Sequence, residues 1–124
     1  MKLSRLLVCF AALLVCTAPL FAAGAISFEK DVRPILKAHC FHCHGEEEEL
    51  GGGLDLRLKH LMVTGGDSGP AIVASKPDQS LLVEYITSGL MPPEDVAVRP
   101  TQEEIATIVN WIASGAVVEG VEPA

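Results

Sequence analysis

Large rings and positive charge are what this 124-residue chain has least of. Aromatic residues make up 5% of it, so a core built from such side chains alone is thin. Nine Lys and Arg stand against 16 Asp and Glu, a formal net charge of −7. That balance argues against nucleic acid or an anionic membrane surface as a partner. Cysteine is scarce too, with four in all, and strand-type alternation is missing.

Where the cysteines fall matters more than their number. Lys2 and Arg5 precede an apolar run from Leu6 to Cys16, and Ala23-Gly24-Ala25 offers small residues for cleavage. This reads as a secretory signal over residues 1–25. An uncleaved membrane anchor is the alternative, because Leu6 to Ile26 carries no charge over a bilayer-spanning length. Thr17, Pro19 and Gly24 interrupt that run and favour cleavage. The predicted domain is then 26–116, with a short tail at 117–124, placed in the periplasm or otherwise exported. Cys9, Cys16, Lys2 and Arg5 leave with the signal, so the mature chain is still more acidic and keeps only Cys40 and Cys43. An exported chain normally pairs its cysteines. Here the only pair to make is within one short motif.

That motif is Cys40-Phe41-His42-Cys43-His44, the attachment pattern for haem c. Two thiols three residues apart project from one turn and reach the two vinyl groups of a single macrocycle. The histidine that follows is placed to bind the iron as proximal ligand. A buried macrocycle also answers the shortage of large side chains, since only Phe28, Phe41, Tyr85 and Trp111 remain after the signal. The competing chemistries are a redox-active dithiol and half of a zinc site that also uses His42 or His44.

Four helices are expected after the signal. The first runs from near Ser27 into Cys40, with Phe28, Val32, Ile35, Leu36 and His39 on one face. Pro34 kinks it or starts its regular part near Asp31. Glu46 to Glu49 reads as a solvated run or an acidic docking patch, and Gly51-Gly52-Gly53 as a turn. Asp55 is the expected cap of a second helix carrying Leu54, Leu58, Leu61 and Met62, closed by Gly65-Gly66. Arg57 and Lys59 are either propionate neighbours or plain surface charge.

Gly66-Asp67-Ser68-Gly69-Pro70 resembles the nucleophile segment of chymotrypsin-like proteases. This chain has neither the strands nor the length for their two barrels, so the segment reads as a turn. The Pro70 carbonyl is a candidate acceptor for the second ring N–H of His44. The third helix spans Pro77 to Gly89 with Leu81, Leu82, Tyr85 and Ile86 inward. Met91, stiffened by Pro92 and Pro93, is the candidate distal ligand, and His60 is its rival. Met62 fits a core position. The last helix opens on the capping box Thr101-Gln102-Glu103-Glu104 and carries Ile105, Ile108, Val109, Trp111 and Ile112 up to Gly115.

Taken in order, these groups resemble the class I cytochrome c family. The likeness is closest to the planctomycete-type cytochrome c domain. It runs from Asp31-Val32-Arg33-Pro34-Ile35-Leu36 through Gly53-Leu54, Gly66-Asp67-Ser68-Gly69-Pro70 and Met91-Pro92-Pro93 to Trp111-Ile112 and Gly115-Ala116. The resemblance implies a small all-α fold with first and last helices crossing around one covalent haem c. It implies His44 as proximal and Met91 as distal ligand. The function it implies is one-electron transfer to a redox partner protein, which the acidic run suggests has a basic docking surface, rather than enzymatic turnover. Two alternatives stand beside it: a haem sensor or peroxidase-like domain with a labile distal position, and a non-haem C-x-x-C thiol or metal domain.

Overall fold

The computed structural model describes residues 24–124, so the signal segment lies almost wholly outside the described residues. Four α-helices and their connecting turns make up the fold, with no strand among the described residues. It is all-α, as expected.

A wide turn at Phe28–Val32 leads into α1 (Arg33–His39). Ser27 caps the entry: its hydroxyl accepts from the Lys30 amide at 3.4 Å, and its own amide donates to the Asp31 carboxylate at 2.7 Å. Pro34 stands in the first turn of α1, where a missing N–H loses no partner. The regular helix therefore starts at Arg33, and the turn before it is wound wide, Val32 donating to Ser27 five residues back at 3.3 Å.

The second helix, α2 (Lys59–Thr64), departs from expectation at its start. Asp55 does not cap it. Its carboxylate turns to Arg57 instead, accepting from the backbone amide at 2.9 Å and from Nη2 at 2.6 Å. The cap comes from the far end of the chain, where Glu122 accepts from the Lys59 and His60 amides at 2.6 and 2.9 Å. Burial acts to raise the Glu122 carboxyl, but these bonds and one from the His60 ring outweigh it and hold it below its ordinary value. Residues 117–124 form no helix, yet they are tied to the domain by this contact and by Trp111 Nε1 donating to the Val117 carbonyl at 2.9 Å.

A single turn at Pro77–Gln79 precedes α3 (Leu81–Ser88), which ends on Gly89 in the left-handed region at φ 80°. The last helix, α4 (Gln102–Ala113), starts with the expected capping box, both of its bonds present. Ile105, Ile108, Trp111 and Ile112 are buried along one face. Phe28 stacks on Trp111 with ring centroids 5.1 Å apart and planes at 28°. Such a pair adds about 1 kcal/mol to the burial of two large rings. The first and last helical segments are thereby joined through the core, with Val32 and Leu36 buried beside them. No helix among the described residues is long and apolar enough to cross a membrane.

Candidate haem-binding site

The end of α1 builds one part of the site. Cys40 and Phe41 both donate to the Leu36 carbonyl, at 2.8 and 3.0 Å, and His44 donates to Cys40 at 2.9 Å. The chain then widens, Glu46 donating to Phe41 at 2.7 Å, while His44 leaves helical geometry at φ −117°, ψ 44°. Phe41 is buried in the core and fixes this turn from beneath. Cys40, Cys43 and His44 consequently share one turn and line one cavity of about 570 Å³. Neither thiol is in a disulfide among the described residues. Burial, with Cys43 nearby, pushes the Cys40 thiol up to about 11, whereas Cys43 is exposed.

A second part of the wall comes from α3 and the segment after it. Leu82 and Ile86 are core residues that also line the cavity, together with Tyr85 and Met91. Met91 is held by its amide, which donates to the Tyr85 carbonyl at 3.0 Å. Arg99 braces the loop from outside, its guanidinium donating to the Gly89 and Pro93 carbonyls at 2.6 and 3.1 Å.

Of the five candidate haem residues, the structure brings Cys40, Cys43, His44 and Met91 to this cavity. Pro70 is not among them. It is exposed, and His44 Nδ1 is buried without a hydrogen-bond partner among the described residues, so the Pro70 carbonyl does not accept from it here. The Gly66–Gly69 turn explains this, since Gly66 and Gly69 exchange backbone bonds of 3.2 and 2.9 Å and close a loop of their own. His60, the rival distal ligand, lies away from the cavity wall with Nδ1 2.9 Å from the Glu122 carboxylate. Met62 is fully buried in the core. His42 points into solvent at the rim, 3.3 Å from Glu47.

Three contributions escaped sequence reasoning. The Leu56 amide donates to the His44 carbonyl at 2.9 Å and pins the motif from the far side of the acidic loop. Gly51 lies against the His44 ring. His39 lines the cavity with its side chain 7% exposed, and its Nε2 reaches the Glu104 carboxylate at 3.3 Å, joining the end of α1 to the cap of α4. The Glu104 carboxyl is held low, first by the Thr101 amide and then by His39. None of these pairings has a local sequence signature, because each partner is brought in by tertiary packing.

The residues present suit haem. Leu54, Leu56, Ala71, Leu82, Ile86 and Val96 make the wall largely apolar, and the volume falls within the roughly 300–1,000 Å³ of cofactor sites. Two thiols, an imidazole and a thioether are the donor set of a c-type centre. Among the described residues no three His, Cys, Asp or Glu side chains gather as a metal-ion site, so the zinc alternative lacks a donor set there.

No curated protein and no solved structure matches the chain. Residues 40–95 match the family model described as planctomycete cytochrome C. The matched segment begins at Cys40 and runs past Met91, so the likeness to that family holds all four cavity-lining candidates.

Proposed function

We propose that this chain is an exported c-type cytochrome domain that transfers single electrons through one haem c. Cys40 and Cys43 attach the haem, His44 is the proximal ligand and Met91 the distal one. The observation that carries the reading is the convergence of Cys40, Cys43, His44 and Met91, from two distant stretches of chain, on one apolar cavity. When bound, haem supplies a reversible one-electron couple. The chain's part is to hold and tune it. His44 and Met91 would hold the iron between them, which would leave no open place for a substrate. The Met91 thioether is a soft, neutral ligand and raises the potential above that of a two-histidine site. Leu54, Leu56, Leu82 and Ile86 keep the surroundings poor in water, which disfavours the more highly charged oxidation state and acts in the same direction.

Export is supported by the agreement between the predicted signal and the motif, since both belong outside the cytoplasm. The expected partner is a redox protein with a basic surface. Glu46, Glu47, Glu48 and Glu49 are all exposed on the segment that directly follows His44. Opposite charge there speeds encounter and orients it.

Expression with the haem maturation machinery followed by a pyridine haemochrome assay tests the core of this reading. One thioether-linked haem per chain is expected, abolished in the variant carrying Cys40→Ala and Cys43→Ala. A parent protein without bound haem would overturn it.

A further inference from the structure

Among the described residues something other than a hydrogen bond must orient the His44 ring, because its Nδ1 is buried with no partner there. We propose that Gly51 is the seat of this imidazole, a positioning residue whose missing side chain sets the rotation of the ring. The inference rests on the reading of His44 as the proximal haem ligand.

The geometry is close. A Cβ added at Gly51 would lie 3.2 Å from His44 Cε1, 3.3 Å from the Cys43 carbonyl oxygen and 3.5 Å from His44 Nδ1. The first two distances are below ordinary van der Waals contact, so something must move by a few tenths of an ångström. The backbone at His44 has little room to do so. Its amide is bonded to Cys40 and its carbonyl to Leu56, each at 2.9 Å. What remains free is the side-chain torsion. Cε1 stands between the two ring nitrogens, so pressure on that edge turns the ring and carries Nε2 with it.

Gly51 differs from its neighbours in a way that makes the test clean. Gly52 and Gly53 occupy the left-handed region, at φ 57° and 63°, where any side chain brings backbone strain. Gly51 does not, so an alanine there probes space alone. The role is also distinct from the one expected of the Pro70 carbonyl, which would act through a hydrogen bond.

The test compares ferric holoprotein of the parent, Gly51→Ala and Pro70→Ala by proton NMR of the hyperfine-shifted His44 ring resonances. Haem content is measured on each by pyridine haemochrome, and thermal unfolding midpoints are recorded alongside. The expected result is displaced His44 resonances and a shifted reduction potential in Gly51→Ala, with haem retained and the unfolding midpoint little changed. Pro70→Ala should leave the resonances in place. Unmoved resonances in a haem-loaded Gly51→Ala protein, or a larger displacement in Pro70→Ala, would overturn the inference while leaving haem binding intact. Should Gly51→Ala fail to yield holoprotein, the diamagnetic ferrous parent decides. A nuclear Overhauser contact between His44 Hε1 and the Gly51 α protons supports the seat, and its absence overturns it. A parent without haem removes the functional reading itself, and this inference with it.

Discussion

The Cys40–His44 turn and the 91–98 segment both line the cavity, but they are anchored differently. The first is continuous with the core. Leu36 and Phe41 are buried beneath it, and backbone bonds from Glu46 and Leu56 close over it. The second hangs from α3 by the Met91 amide and is braced by one arginine at the surface. Leu90, just before Met91, and Val98, the last cavity-lining residue of the segment, are 59% and 67% exposed. The cysteine-histidine turn therefore sits where disturbing the site means disturbing the fold, while the Met91 side is separable. On the proposed reading, Met91 on such a loop detaches from the iron without global unfolding.

The sharpest way to break this contrast is to truncate each region in turn. Phe41→Ala should cost about 3–5 kcal/mol in denaturant unfolding, as for other buried aromatics. Leu90→Ala should stay within about 0.5 kcal/mol, as for exposed sites. Similar losses from the two would contradict the comparison. An intermediate effect is expected at Arg99. Arg99→Ala removes two bonds from a partly exposed cation, worth about 1 kcal/mol to the loop. Carbon monoxide should then bind the ferrous holoprotein roughly fivefold more readily, because Met91 is more easily displaced. The unfolding midpoint should barely move.

The smallest effect concerns Asp55, which supports the motif side indirectly. Its partner Arg57 lies over Gly45, where an added Cβ would come within 2.8 Å of Arg57 Cγ. The Arg57 side-chain bond, more than any other influence, holds the Asp55 carboxyl below its usual 3.8. With the folded value below the unfolded one, the pair stabilises the fold above the unfolded value and is lost as pH falls through the folded value. Asp55→Asn should thus cost roughly 0.5 kcal/mol at neutral pH, a small figure because Arg57 is half exposed. In urea unfolding the difference from the parent should shrink as pH falls below the ordinary carboxylate range and vanish once it is below the lowered folded value.

The same division separates what the sequence made legible from what it did not. Features whose partners lie within a few residues were readable. The Thr101–Glu104 capping box, the apolar stripe of α4, the Gly89 stop and the C-x-x-C-H turn each depend on local spacing, and each is found in place. Features completed by distant partners were not. The cap of α2 is supplied by Glu122, 63 residues beyond Lys59, which local spacing cannot reveal, whereas Asp55 stands near the helix start. The support of His44 passes to Gly51 and Leu56, because the segment between the motif and the Gly66–Gly69 turn folds back across the ring and leaves Pro70 outside. Pro34 was recognised as a constraint, but how far it moves the helix start depends on the wide turn before it. The cavity itself is legible only as a shortage of large side chains. Its walls come from segments that have no pattern in common.

Distal ligation by Met91 is the claim on which electron transfer, rather than ligand binding, depends. The absorption spectrum of the oxidised holoprotein tests it directly, read for the far-red thioether-to-iron band before and after Met91→Ala. The account predicts a band in the parent that disappears in the variant, while haem content stays the same. A band missing from the parent, or one that survives the substitution, would contradict it.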